Sequence, residues 1–141
     1  YRKPTIKQRE ESRIGKEDFN RWFRQIWNIT GASTKQHPAP FPMELANRLV
    51  RMFSFTGDTV LDPFCGSGTT MIAAFRTGRN SIGVEIDPEY CRMAARFLKA
   101  ESANLFSTAE LRFEKIATET ANLISEDQAL YELRPAKKRL E

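Results

Sequence analysis

A chain of 141 residues suits a single domain that buries roughly two-thirds of its unfolded surface. Its composition, 40% hydrophobic and 28% charged, is that of an ordinary globular protein, and no apolar run approaches the ~20 residues of a membrane helix. The net charge is +4, with nine Lys and Arg against four Asp and Glu in residues 1 to 35, and two cysteines make neither a disulfide framework nor a zinc site.

A reducing cytoplasm is the default compartment for such a chain. The basic amino-terminal segment beside a near-neutral body suits a polyanion partner, or is simply a solvated arm. Residues 1–16, YRKPTIKQREESRIGK, show no apolar periodicity and read as an irregular basic segment. Asp18 can cap the next stretch, where Phe19, Trp22, Phe23 and Ile26 recur at helical spacing and predict an aromatic face packed on a core. Three prolines at alternate positions (38, 40 and 42) then enforce an extended path.

Pro42 suits the first position of a helix through Ser54, with Leu45, Leu49, Met52 and Phe53 on one side. Gly57 and Asp58 predict a turn, and Thr59 to Asp62 a short buried strand. A helix containing Ile72 to Phe75 follows and stops at Gly78. Ser81 to Glu85 read as a second strand. Asp87 is a natural cap for a third helix with Pro88 first and Tyr90, Met93, Ala94, Phe97 and Leu98 turned inward. Glu110 to Ile116 alternate as a third strand, and residues 121–141 read as a polar tail with some helical character. Strand, helix, strand, helix, strand describes part of a doubly wound α/β sheet.

The first strand-to-helix turn is Asp62-Pro63-Phe64-Cys65-Gly66-Ser67-Gly68-Thr69-Thr70. In an open α/β sheet a ligand sits outside the carboxyl ends of the strands, where this turn lies. The glycines permit close approach, and the amides opening the helix at Gly68 to Thr70 suit a negative group. A nucleoside-triphosphate loop needs a lysine where Thr69 stands. A dinucleotide turn asks for a third small residue where Met71 stands, and a bulky Met there is expected to obstruct helix-to-strand packing. A ligand with an ammonium, a carboxylate and a ribose diol fits better. Asp62 ends the first strand and suits the ammonium; Glu85 ends the second and suits the diol, although Glu85 alone would fit NAD equally well and only Met71 and Asp62 favour the other ligand. The ammonium, carboxylate and diol are the groups of S-adenosylmethionine. A bare strand-to-helix connection without a ligand is the plainer alternative.

The run HPAPFPMELANRLVRMFSFTGDTVLDPFCGSGTTMIAAFRTGRNSIGVEIDPEYC, with FNRWFRQIWNITG before it, resembles the amino-directed DNA methyltransferases that modify adenine N6 or cytosine N4. The resemblance covers roughly residues 19 to 120. It implies the S-adenosylmethionine-dependent, Rossmann-like methyltransferase fold, with residues 17–120 as the cofactor-binding part. It implies cofactor contacts for Asp62, Pro63, Phe64, Gly66, Ser67, Gly68, Thr69 and Thr70, for Glu85 at the ribose and for Ile86 against adenine. It also implicates His37, Phe41 and Pro42 in closing over the methionine end, although many relatives have Lys-Pro where this chain has Phe41-Pro42. The carbon-5 cytosine enzymes use a nucleophilic cysteine after proline; Cys65 follows Phe64 and reads as a small packed residue.

Family members orient the target amino group with an (Asp/Asn/Ser)-Pro-Pro-aromatic turn, and no Pro-Pro dipeptide occurs in these residues. No residue is therefore assigned a catalytic role, and no metal site is expected. The permuted motif order of some relatives places that turn before HPAPFP, so the chain reads as the carboxyl-terminal, cofactor-binding part of a larger enzyme. Residues 1–16 would then end a target-recognition region. The implied partners are double-stranded DNA and, across an exposed sheet edge, a missing catalytic segment, a second chain or a homodimer mate. The alternative is an inert homologue that binds cofactor or DNA without methylating.

Overall fold

The structure is a computed structural model that describes residues 3–32, 41–104, 109–116 and 128–135. Helices α1 (Ile6–Glu11), α2 (Lys16–Trp22) and α3 (Met43–Phe53) precede strand β1 (Thr59–Asp62), helix α4 (Thr69–Arg76), strand β2 (Asn80–Glu85) and helix α5 (Pro88–Asn104). Strands β3 (Ala109–Ile116) and β4 (Gln128–Pro135) complete a four-stranded sheet in the order β1-β2-β4-β3.

The β1-α4-β2 unit is parallel, with Val60 beside Ser81 and Asp62 beside Gly83. Strand β4 enters antiparallel between β2 and β3. The sheet is therefore mixed, and the third strand expected from the sequence is separated from β2 by β4. Part of the region expected to be a polar, partly helical tail is thus a strand.

Register assigns the two faces of the sheet. Val60, Ser81, Gly83, Leu111 and Phe113 share one face, because successive strand residues alternate. Helices α3, α4 and α5 pack on it. Ala46, Val50, Ala73 and Ala74 form one core cluster joined by Val60. Cys65, Met71, Ile72, Phe75, Cys91 and Leu98 form another joined by Leu111. Buried alanines on α3 and α4 let those helices approach closely, which small side chains permit.

Met71 is fully buried with its sulfur over Gly83 of β2, where a Cβ would lie only 2.4 Å from it. The close helix-to-strand approach thus uses a glycine on the strand instead of one on the helix. The obstruction expected of Met71 does not arise.

The amino-terminal third departs from expectation. Residues 6–11 form a helix, because Thr5 and Gln8 make a reciprocal capping box. Gln8 Nε2 donates to the Thr56 carbonyl at 2.8 Å, and Thr56 N–H donates to Ser12 Oγ at 2.7 Å. Helix α1 and Ser12 are thus pinned to the loop before β1, at the opposite end of that strand from Asp62. Asp18 is not a cap: Gly15 holds that position, and Asp18 pairs with Arg21 and Arg51.

The aromatic stripe is not a packed face either. Helix α2 ends at Trp22, which is buried, while Phe19 and Phe23 stack on each other and remain half exposed with Ile26 outside them. Trp22 and Trp27 instead carry the guanidinium groups of Arg51 and Arg48 over their rings, at 4.7 and 5.5 Å. Helix α3 buries Ala46, Arg48 and Val50, and Phe53 on its expected inner side is 77% exposed. Pro42 is the N-cap, one residue before the place expected.

Candidate cofactor site

The turn after β1 is built from local chemistry. Asp62 Oδ1 accepts from Phe64 N–H at 3.1 Å, an Asx turn that Pro63 stabilises by fixing its own φ. Cys65 N–H donates to the Val84 carbonyl at 2.9 Å, hooking the turn to the carboxyl end of β2. Gly66 has φ 51° and Gly68 φ 85°, the left-handed region that side chains disfavour. Gly68 N–H closes the turn on the Cys65 carbonyl, and Gly68 is the N-cap of α4. A Cβ at Gly68 would also press on Ala94 of α5 at 3.2 Å.

Glu85 joins the two strand ends. Its Oε2 accepts from Gly66 N–H at 2.8 Å, and its Oε1 accepts from the amides of Ile86 and Asp87 at 2.9 and 3.0 Å. One carboxylate therefore holds the glycine turn against the end of β2. A carboxylate offers about four acceptor positions, so three amides leave room for one more donor. Asp87 then caps α5, accepting from Glu89 N–H at 2.7 Å.

The structure brings Asp62, Pro63, Phe64, Gly66, Ser67, Gly68, Thr69, Thr70, Glu85 and Ile86 to one end of the parallel pair β1-β2. Two carboxylates and the open amides of a helix N-terminus converge there. Phe64, 88% exposed, and the exposed Ile86 add apolar surface at the rim. This donor set fits the ammonium, carboxylate, diol and adenine of S-adenosylmethionine: Glu85 already holds donors at hydrogen-bond distance, and a bulky side chain at Gly66 or Gly68 would need strained backbone.

Phe41 and Pro42 lie at the start of α3; Phe41 lines a largely apolar cavity of about 330 Å³ that reaches Val60 and Thr70. His37 lies outside the described residues. Cys65 is buried, and burial first, then the nearby Asp62 and Glu85 carboxylates, push its thiol up to about 12. A thiol so held is protonated at neutral pH and is no nucleophile. Among the described residues no cluster of His, Cys, Asp or Glu could hold a metal ion, and no helix is long and apolar enough to cross a membrane.

Sequence reasoning missed Arg79, which is almost wholly buried. Its guanidinium donates to the Ser54 carbonyl at 2.8 Å, to the Thr77 carbonyl and to the Ser54 and Thr56 hydroxyls. It thereby caps the carboxyl ends of α3 and α4 together, an arrangement the helix dipoles favour. Burial first and Arg51 second hold its pKa below the usual arginine value, with Asp58 opposing. An arginine just after a helix-ending glycine was the available signal.

A family model described as DNA methylase matches residues 1–96. The type II methyltransferase M.MjaI of Methanocaldococcus jannaschii is 53% identical over 91 residues, which cover 60% of this chain and 30% of that protein. M.MthZI of Methanothermobacter thermautotrophicus, also a type II methyltransferase, is 48% identical over 92 residues, covering 60% and 26%. Among solved structures, that of TTHA0409 from Thermus thermophilus, complexed with S-adenosyl-L-methionine, superposes with a TM-score of 0.66 at 55% identity. The match covers 74% of this chain and 41% of that one. The chain thus spans less than a third of the two curated relatives and less than half of the solved one.

Proposed function

This chain belongs to the DNA methylase family and has its S-adenosylmethionine-dependent methyltransferase fold, and from that premise we propose that it supplies the methyl-donor site of a DNA amino-methyltransferase. The acceptor would be adenine N6 or cytosine N4 in double-stranded DNA. The observation that carries the reading is the Glu85 carboxylate, held 2.8 Å from the Gly66 amide at the shared end of β1 and β2.

When bound, S-adenosylmethionine would supply an activated methyl group for direct transfer to nitrogen. The residues of this chain bind and orient. Asp62 would take the ammonium, and the amides of Thr69 and Thr70 the carboxylate. Glu85 would accept from the ribose hydroxyls, and Ile86 and Phe64 would flank the adenine. Ser67 and Pro63 shape the turn, and Phe41 and Pro42, with His37 as the sequence implies, would close over the methionine end. Fixing the donor in this way contributes through orientation, which reduces the entropy lost on reaching the transition state. The target base would be extruded from the duplex to meet it.

These 141 residues contain no Pro-Pro dipeptide, so orientation of the acceptor nitrogen would fall to polypeptide other than the described turn. The same feature favours a second reading, an inert homologue that binds cofactor or DNA alone. Titration with S-adenosylhomocysteine tests the donor site; a methyl-transfer assay on DNA with the rest of a relative supplied in trans separates the two readings. Saturable cofactor binding with restored methylation supports the enzyme. Cofactor binding without methylation supports the inert homologue, and no binding at millimolar ligand rejects both cofactor readings.

The basic amino-terminal segment, for which the sequence offers a polyanion partner or a solvated arm, is docked through Gln8 and Ser12 at the opposite end of β1 from the glycine turn. A DNA role for it would therefore concern flanking phosphates and not the reacting base.

A further inference from the structure

Three guanidinium groups meet at the end of the sheet opposite the glycine turn. Helices α1, α3 and α4 border a mainly polar cleft there, of about 360 Å³, lined by Glu11, Asn47, Arg51, Arg76, Thr77 and Arg79. That volume lies in the range of small-molecule sites. The cleft and the cofactor turn lie at opposite ends of α4 (Thr69–Arg76), a helix about 12 Å long. The two are separate places.

The cations of the cleft are incompletely partnered. Arg51 reaches the Asp18 carboxylate only at 3.7 Å, beyond hydrogen-bond range, and lies over the Trp22 ring. Arg76 gives its Nε and Nη2 to Glu101, which leaves Nη1 without a partner among the described residues. Arg79 directs its donors to the ends of α3 and α4, so the negative carbonyl ends of those helices do not oppose an anion. Its lowered pKa, from burial first and Arg51 second, marks like charges held near each other. Glu11 is the single carboxylate of the lining, and it faces Lys7 at 3.8 Å. An anion in the cleft would offset that excess of positive charge.

Asn47 makes a second demand. Its Oδ1 is buried and accepts no hydrogen bond, a condition that costs free energy until a donor arrives. A carboxylate is acceptor-only at neutral pH, and a DNA phosphodiester has no O–H to give. A phosphorylated sugar carries both an oxyanion and hydroxyl donors. We propose that the cleft between α1, α3 and α4 binds a small molecule bearing a phosphate monoester and a neighbouring hydroxyl group. Arg51 and the free Nη1 of Arg76 hold the phosphate, as charge-assisted donors do, and Asn47 accepts from the hydroxyl. Arg79 contributes its charge from behind, and Thr77 completes the wall.

The test records backbone-amide and arginine Nε–H spectra of the 141-residue chain during titration with ribose 5-phosphate, ribose and inorganic phosphate. Constant ionic strength keeps screening fixed. Ribose 5-phosphate should give saturable shifts at residues 47, 51, 76, 77 and 79, inorganic phosphate should bind about tenfold more weakly, and ribose should not bind. Arg51→Met, which keeps an apolar stem over Trp22, and Arg76→Gln should each weaken ribose 5-phosphate by about tenfold or more. Asn47→Ala should bring ribose 5-phosphate to within about twofold of inorganic phosphate. Arg76 is half exposed, so Arg76→Gln decides if Arg51→Met fails to fold. No saturation by about 10 mM ribose 5-phosphate, binding indifferent to Arg76→Gln, or shifts centred on residues 66–70 would overturn the proposal. So would shifts of the same residues by a DNA duplex or a hexaglutamate peptide but not by ribose 5-phosphate. The cofactor reading is untouched by either result, since S-adenosylhomocysteine carries no phosphate.

Discussion

Replacing Glu85 by alanine removes the acceptor for three backbone amides, at 2.8, 2.9 and 3.0 Å, and the acceptor for a ribose diol. A hydrogen bond to a charged group contributes about 1.5–3 kcal/mol, and taking the low end for each of two diol hydroxyls gives roughly 3 kcal/mol, or ~150-fold. The amides already fill three of about four acceptor positions, so the second hydroxyl must share. The expected loss for Glu85→Ala is therefore about 10- to 150-fold in S-adenosylhomocysteine affinity. Glu85→Gln should fall between: its Oε1 can keep the Ile86 and Asp87 amides, while its NH2 would meet Gly66 N–H donor to donor. Titration calorimetry with S-adenosylhomocysteine and with its 2′-deoxy analogue reads this directly. The analogue should bind more weakly than its parent to wild type, and the difference should shrink in Glu85→Ala. Unchanged affinity in Glu85→Ala, or an equal penalty for the analogue on both proteins, would refute the diol assignment.

Gly83→Ala should destabilise by about 1–3 kcal/mol, since its Cβ would meet Met71 Sδ at 2.4 Å and Cys65 at 3.0 Å. In a thermal-melt cycle with Met71→Ala the two losses should be less than additive; strict additivity would dismiss the packing account. Arg79→Lys should cost about 2–4 kcal/mol, because one ammonium cannot serve the ends of both α3 and α4; a melt within experimental error of wild type contradicts that role. Glu101 is paired with Arg76 at 2.7 and 2.8 Å, and that hydrogen bond first lowers its pKa against the opposing effect of burial. A carboxyl lowered on folding stabilises above its unfolded value of about 4.3 and loses that contribution as pH falls through the folded value. Arg76 is half exposed, so the wild-type advantage over Glu101→Gln should be only about 0.5–1 kcal/mol at neutral pH. It should close in urea melts as the pH drops below roughly 4, and a gap that persists or widens in acid reverses the sign. Cys65→Ala should keep cofactor affinity within about twofold, as a protonated packed thiol requires; a larger loss would restore a chemical role.

The β1-α4-β2-α5 unit was legible because its signals are local. The Asp-Pro and Gly-x-Gly turn, the Asp87 cap with Pro88 and short apolar runs each act within a few residues. The same holds for Asp62 and Glu85, whose places follow from strand ends. Elsewhere partners distant in sequence decided. The Phe19 and Phe23 pair has helical spacing, but Trp22 and Trp27 find arginines on α3 that no periodicity reports. Helix α1 is polar and charged after Ile6, so hydrophobic patterning is silent and only the Thr5-x-x-Gln8 box announces it. Strand β4 carries Ala129, Tyr131 and Leu133 in alternation, a signal outweighed in the sequence by the charged residues around it. Its insertion between β2 and β3 depends on sheet pairing that local sequence does not encode. Met71 is the instructive residue at the site. It puts bulk where a dinucleotide turn wants none, and the relief comes from Gly83 on the next strand.

The most direct test of the methyl-donor site is the amide spectrum of the chain titrated with S-adenosylhomocysteine. Saturable shifts should concentrate at Phe64, Gly66, Gly68, Thr69 and Ile86, with Gly66 moving as Glu85 redistributes its acceptors. No change at millimolar ligand, or shifts centred instead on Arg51, Thr77 and Arg79 at the other end of the sheet, would contradict the account.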